Sequence, residues 1–185
     1  MRSRIIMKTA IKTVKSLFLI PGLLLPLSAG AALLPAESPV SVVLDFYRLN
    51  LQDSSSDGYD RSVKQYVTLT LQKNINDSTS CNYDSDDTDQ ALCDTPRPCK
   101  TTENHSACLW GDNWVENDVN YYTKSQDIYD SWVNYRDAHT ESQTDEMATV
   151  LVTLGNPPDE LLPLRVTVVN EKGYWKINNV ALIAQ

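Results

Sequence analysis

The sequence predicts an α+β domain in which N-terminal helices pack on one side of a curved antiparallel sheet. Apolar residues recur with helical spacing over residues 38–74, whereas they alternate with a period of two from residue 131 onward. A polar segment with four cysteines separates the two halves. Helices followed by a run of strands are typical of α+β domains. A curled sheet that is covered on one side only leaves a cone with an open mouth.

The first helix is predicted over residues 38–52. Ser38 is suited to the N-cap, and Pro39 to the first helical position, where its missing N–H costs nothing. One face is apolar at helical spacing, and further apolar residues widen that face, so we expect a largely buried helix. The residues of the first set are Val40, Val43, Leu44, Tyr47 and Leu51.

A second helix is predicted over residues 61–74, with Asp60 as its N-cap, after a loop at residues 53–58. Residues 66–71 also alternate like a strand, so the sequence leaves both structures open there. A short third helix is predicted over residues 124–129.

Four strands are predicted to form the sheet. Gly155-Asn-Pro-Pro158 ends the second of them, and residues 171–173 join the last two in a tight hairpin. Gly173 occupies the position in that turn that favours a positive φ. The strands are predicted over residues 131–139, 147–154, 164–170 and 174–183, with His139 at the end of the first.

The polar segment at residues 78–117 is predicted to be a loop insertion stapled by two disulfides. An even number of cysteines in an exported chain indicates disulfides, and three connectivities remain open. A zinc site that includes His105 is the alternative, but the cysteine spacings of 12, 6 and 9 contain no C-x-x-C pair. The cysteines are Cys81, Cys93, Cys99 and Cys108.

An acidic run in the same segment has the look of a calcium loop. Counted from Asp84, the sixth and twelfth positions hold Asp89 and Thr95, where an EF-hand needs Gly and Glu. A solvated acidic loop is therefore expected, with no metal and no cofactor.

A secretory leader is predicted at residues 1–31. It has five basic and no acidic side chains, an apolar run over residues 17–27, and small residues at 29–31. This is the order of a signal peptide, and the run is too short to span a bilayer as a helix. No cysteine lies at the cleavage point, so a lipid anchor is not expected. We expect residues 32–185 to form a single periplasmic domain without a membrane span.

The predicted mature chain is strongly acidic. Residues 32–185 contain 11 basic and 24 acidic side chains, a formal charge of −13. Such a surface repels phosphate backbones, so a nucleic-acid partner is excluded. A basic protein partner fits this charge, and so does a purely solubilising role.

Several segments carry a resemblance to a known family: Pro39-Val-Ser-Val-Val-Leu-Asp-Phe-Tyr47, Tyr66-Val-Thr68, Gln126-Asp-Ile128 before Trp132, and residues 148–155, 164–169 and 173–180. With them the chain resembles the YbjP/YqhG-type enterobacterial envelope proteins of unknown function, outside the Cys-rich insertion. The resemblance implies an NTF2-like cone, with a homodimer through the open sheet face as one option. More weakly, the chain resembles immunity proteins of type VI secretion amidase effectors. Neither family supplies catalytic residues.

A catalytic role has few candidates. The resemblance implies that an enzyme of this class would hold an acid–base pair inside the cone, for which Asp127, Asp130, Asp137 and His139 are the candidates. The sequence has no G-x-S-x-G and no H-E-x-x-H motif. The alternative is a solvated strand end with ordinary polar residues, so whether the protein is an enzyme stays open.

Aromatic residues near the insertion suggest binding. Tyr and Trp are frequent anchors at protein interfaces, although in a small domain they more often pack in the core. Trp132 and Trp175 are expected in the core. The interface candidates are Trp110, Trp114, Tyr121 and Tyr122.

These observations favour an exported binding protein without catalysis. Its most concrete form is an inhibitor or immunity protein for a basic toxin that degrades the cell wall. A small-ligand protein that uses the cone as a pocket, an acid–base enzyme and a structural envelope protein are the alternatives.

Overall fold

The computed structural model describes residues 37–52, 56–83, 89–101 and 106–183. The predicted leader, His105 and most of the acidic run that starts at Asp84 lie outside these residues. Within the described part of the chain, no helix is long and apolar enough to cross a membrane. The helices are α1 (Pro39–Gln52), α2 (Ser56–Tyr66), α3 (Leu69–Asn82), α4 (Gln90–Cys93) and α5 (Asp130–Asn134). The strands are β1 (Cys99–Thr101), β2 (Ser106–Trp110), β3 (Asn113–Glu116), β4 (Arg136–Gln143), β5 (Met147–Leu154), β6 (Leu162–Glu171) and β7 (Tyr174–Leu182).

Helix α1 is the central helix of the core, and its predicted start is confirmed. The Ser38 hydroxyl oxygen accepts a hydrogen bond from the Ser41 N–H at 3.0 Å, which caps the first turn. One face of α1 is fully buried and contacts β4, β5 and β7. That face consists of Val42, Val43, Phe46 and Tyr47.

The single helix predicted over residues 61–74 is wrong, because α2 and α3 are separate helices. Val67 forms an isolated parallel bridge with Ile177, and the Thr68 N–H donates to the Ile177 carbonyl at 2.9 Å. Thr68 then caps α3 through its hydroxyl. Of the residues 66–71 that alternate like a strand, only Val67 and Thr68 are extended and pair with β7. Asp60 lies inside α2 rather than at its N-cap, and residues 56–58 are helical instead of part of a loop.

The predicted antiparallel meander is confirmed, and the strand order is β4-β5-β6-β7. Alternate residues of β5 and β6 are buried against the helices, and the residues between them face away from the core. Lys172 and Gly173 form the two-residue hairpin turn, with φ values of 55° and 93°. An α+β fold with helices on one side of an antiparallel sheet is thus the observed class.

Two predictions around residue 130 are wrong. Residues 130–134 form α5, so the first strand of the meander begins at Arg136 and places His139 in its middle. The helix predicted over residues 124–129 is absent: a turn ends at Lys124, and irregular backbone follows it up to α5. The Asn120 side-chain oxygen accepts from the Tyr122 and Thr123 N–H groups, and Lys124 has a φ of 52°. This local bonding competes with a helix.

The Cys-rich segment, predicted as a loop, contains a second sheet of three antiparallel strands in the order β1-β2-β3. Both predicted disulfides are present. Cys81–Cys93 joins α3 to α4, and Cys99–Cys108 joins directly opposed residues of β1 and β2. The structure thereby selects one of the three connectivities that the sequence left open.

Asn113 connects the second sheet to the rest of the domain. Its side-chain oxygen accepts from the Asn74 amide of α3 at 2.8 Å, and its amide donates to the Asn178 carbonyl of β7 at 2.9 Å. Asn113 is buried, and these two hydrogen bonds join β3 to α3 and to β7.

Candidate functional site

An exposed surface of mixed aromatic, apolar and acidic side chains lies where the segment before α5 meets the β5–β6 connection. Large apolar side chains are usually covered, but here Ile128 is 50%, Tyr129 42% and Leu161 38% exposed. Four exposed carboxylate residues flank them in the sequence. We call this the acidic–aromatic surface, and define it as Asp127, Ile128, Tyr129, Asp130, Asp159, Glu160 and Leu161.

Trp132 holds the two segments of this surface together. Its buried indole N–H donates to the Glu160 carbonyl at 3.0 Å, and its ring lies 4.8 Å from that of Tyr129. The Tyr129 hydroxyl donates to the Glu160 carboxylate, and this hydrogen bond raises the pKa of Tyr129. Gly155 closes the loop with a φ of 96°, and a Cβ there would lie 2.6 Å from the Glu160 carbonyl oxygen. The segments are therefore held in place by contacts with α5.

The charge of this surface has one sign. Residues 126–130 and 155–161 contain four carboxylates and no Lys, Arg or His. Within the described residues, no group of three or more His, Cys, Asp or Glu side chains is placed to hold a metal ion. The arrangement suits contact with a cationic surface, because exposed carboxylates steer a basic partner and apolar side chains bury area on contact.

The catalytic candidates from the sequence lie in two places. Asp127 and Asp130 belong to the acidic–aromatic surface. Asp137 and His139 lie on the outer face of β4, opposite Thr153 and Leu151, while Ala138 between them packs against the core. All four candidate side chains are exposed to solvent.

The aromatic candidates for binding differ in their exposure. Trp110, Tyr121 and Tyr122 are buried, and Trp114 is half-buried beneath Lys100, whose Nζ lies 4.4 Å from its ring centroid. Tyr122 packs on Phe46, and its carbonyl accepts from the Tyr47 hydroxyl at 2.8 Å. Burial raises the pKa of both Tyr121 and Tyr122. Three of the four side chains thus serve the core of the described structure.

A buried ion pair lies beside Tyr121. Lys124 Nζ is 2.6 Å from Glu116 Oε2, and it also lies 3.6 Å from the centroid of the Tyr121 ring. The Lys124 side chain is 2% exposed and that of Glu116 is 23% exposed. Desolvation lowers the pKa of Lys124, and the Glu116 carboxylate opposes that shift.

The Glu116 carboxylate borders a cleft between α3 and the segment at residues 115–121. The volume of this cleft is about 130 Å³. A neighbouring depression of about 170 Å³ shares Tyr59 and Ile75 with it. Both volumes fall below the roughly 300–1,000 Å³ of a drug-sized ligand site.

Sequence reasoning missed Tyr129, Glu160 and Leu161 as members of a common surface. The signal was the apolar Ile128-Tyr129 pair between two acids, together with Asp159-Glu160-Leu161 after two prolines. It became visible only through the contacts of Trp132 with both segments.

No family model and no curated protein matches this sequence. Among solved structures, the chain is similar to one in the native type VI effector–immunity complex Tae3–Tai3 from Ralstonia pickettii. The TM-score is 0.50 and the identity 18%, over 78% of this chain and 94% of that one. The selenomethionine form of that complex gives a TM-score of 0.49 and 17% identity, over 80% and 98% of the two chains. A protein of unknown function from Bacteroides thetaiotaomicron gives 0.41 and 13%, over 77% and 88%. The similarity to the native complex establishes a shared fold.

Proposed function

We propose that this protein is an exported, non-catalytic binding protein of the bacterial periplasm, of the inhibitor or immunity type. Its partner in this proposal is a basic, secreted toxin that degrades the cell wall. The acidic–aromatic surface is the observation that carries the proposal. It combines exposed apolar side chains, which gain from burial, with four carboxylates that attract basic surfaces and repel acidic ones.

Three further observations support this function. The two disulfides are typical of an oxidising compartment outside the cytoplasm. The fold is shared with a chain that was crystallised within an effector–immunity complex. The four catalytic candidates are exposed to solvent, whereas an acid–base pair inside a cone would be shielded.

The experiment is a neutralisation assay with cell-wall amidases. Type VI amidases from the bacterium that encodes this protein are directed to the periplasm of a test strain, which is grown with and without this protein. We expect one of them to be neutralised, with a 1:1 complex of the two purified proteins by calorimetry. The proposal is wrong if growth is not rescued against any amidase and no complex forms with any of them.

Variants of the surface test where the partner binds. The double variant Asp127→Asn, Asp130→Asn should associate more slowly with the amidase, because charges at the rim of an interface act mainly on the association rate. The dependence of this rate on salt concentration should also become weaker. The double variant Asp137→Asn, Asp145→Asn is the matched control, since it removes two exposed carboxylates that lie outside this surface. Equal association rates for both variants would exclude the acidic–aromatic surface as the contact.

A further inference from the structure

The cleft between α3 and residues 115–121 has the composition of a cation site. Its lining includes the carboxylates of Glu116 and Asp118, the amides of Asn82, Asn117 and Asn120, and no Lys, Arg or His. Tyrosine rings complete the wall, and the face of an aromatic ring attracts a cation. The lining tyrosines are Tyr59, Tyr83 and Tyr121.

The cleft is held open by hydrogen bonds between its two walls. Asn82 at the end of α3 donates to the Asn117 side-chain oxygen at 2.9 Å, and the Tyr83 hydroxyl donates to Asp118 Oδ1 at 3.0 Å. A pre-organised site loses less conformational freedom when a ligand binds. Among the described ion pairs, none includes Asp118, so its partner here is the neutral Tyr83 hydroxyl.

The chain already binds one of its own cations in this way. Lys124 Nζ contacts Glu116 Oε2 and the Tyr121 ring from the buried side, and its side chain is almost inaccessible. A carboxylate and a tyrosine ring thus hold an ammonium group next to the cleft. Glu116 and Tyr121 are also among the residues that line the cleft.

We propose that this cleft binds the guanidinium group of an arginine side chain carried by a partner protein. A planar guanidinium has five N–H donors that suit the carboxylate and amide oxygens, and it stacks on tyrosine rings. The volume of about 130 Å³ is below that of a drug-sized ligand site and suits the end group of a single side chain. The site lies apart from the acidic–aromatic surface in the sequence, and it does not depend on an immunity function.

The test is an NMR titration of the ¹⁵N-labelled protein purified from the periplasm, with both disulfides formed. The probe is the blocked peptide acetyl-Gly-Arg-Gly-amide, and its uncharged control has citrulline in place of arginine. We expect saturable shifts of the amides at residues 82–83 and 116–121 with the arginine peptide only. Equal shifts with the citrulline peptide would overturn the proposal. Agmatine represents a free small cation, and binding of agmatine alone would overturn the protein-borne source.

Variants distinguish the cleft from general attraction to an acidic protein. Asp118→Asn keeps an acceptor for Tyr83 and removes the charge, so binding should weaken about tenfold, equivalent to ~1.4 kcal/mol. Tyr59→Leu removes a stacking surface and should also weaken binding. Asp112→Asn, in the exposed β2–β3 turn, is the control and should bind like the wild type. Wild-type affinity in Asp118→Asn and Tyr59→Leu would refute the site, and their spectra report directly whether they are folded.

Discussion

The Lys124–Glu116 pair provides a quantitative test of the described core. Glu116→Gln leaves the ammonium group of Lys124 without its counter-charge, in a side chain that is 2% exposed. Removal of one partner from a buried ion pair costs about 3–5 kcal/mol in the free energy of unfolding. Lys124→Met leaves instead the Glu116 carboxylate, which at 23% exposure still reaches water, so its cost should be smaller, about 1–2 kcal/mol.

The double variant completes the cycle. Replacement of a buried ion pair by uncharged groups of similar volume changes stability little. The free energy of unfolding of the variant Lys124→Met, Glu116→Gln should therefore lie within about 1 kcal/mol of the wild-type value. Urea unfolding at pH 7, followed by tryptophan fluorescence with the disulfides intact, measures all four proteins. Unchanged m-values would show that the unfolding reaction is the same.

The dependence on pH gives an independent check with a defined sign. Burial lowers the pKa of Lys124 below its ordinary 10.5, and loss of the Glu116 carboxylate removes the group that opposes this shift. Between the folded-state pKa and 10.5, the unfolded chain binds a proton that the folded chain lacks, so stability rises with pH. The stability deficit of Glu116→Gln relative to the wild type should therefore narrow as the pH rises toward 10.5. A deficit under about 0.5 kcal/mol, within the range of an exposed pair, would refute the assignment of a desolvated pair.

Three further predictions concern the core and the Cys-rich segment. Stability should fall above about pH 10, the ordinary tyrosine pKa. Burial raises the pKa of three core tyrosines, Tyr47, Tyr121 and Tyr122, so near pH 10 only the unfolded chain loses these phenol protons. Thermal melts from pH 9 to 11 should show a declining Tm, and a flat profile would contradict this prediction. Replacement of either disulfide, α3–α4 or β1–β2, by a pair of serines should lower the free energy of unfolding in urea by about 3 kcal/mol, because the bridges close loops of 12 and 9 residues. A loss below about 1 kcal/mol would show that the bridge adds little to stability. Asn113→Ala should cost about 2–3 kcal/mol in the free energy of unfolding, because it removes a buried hydrogen bond to Asn74 and a half-buried one to the Asn178 carbonyl. The exposed neighbour Asp112→Ala should cost under about 0.5 kcal/mol.

The elements that could be predicted from the sequence are those whose buried face is formed by residues close together in the chain. In α1 and in the three strands from β5 to β7, the buried residues recur at a fixed spacing within one short segment, so periodicity alone reports the structure. The break at Val67–Thr68 is different, because its cause lies in β7. The Thr68 hydroxyl donates to Asn178, 110 residues further along the chain. No window of the sequence contains both partners.

The second sheet was hidden for a related reason. Its strands have three to five residues, too few to establish a period of two, and β1 is exposed along its whole length. Asn113 holds this sheet through partners 39 and 65 residues away. Composition correctly indicated disulfides there, but a polar segment can be ordered by amide networks as well as by staples.

The functional residues show what charge arithmetic can and cannot locate. A formal charge of −13 over residues 32–185 predicts a basic partner without indicating where it binds. The structure separates two environments for carboxylates. Asp127 and Asp130 are exposed and flank apolar side chains in the sequence, so they should act on the association rate and on its salt dependence. Asp118 is also exposed, but it borders a cleft and accepts a hydrogen bond from the Tyr83 hydroxyl, so a cation bound there would contact several lining groups at once and their loss would act on the dissociation rate. Association and dissociation rates measured over a salt series therefore distinguish contact at the surface from contact in the cleft, even when both involve the same partner.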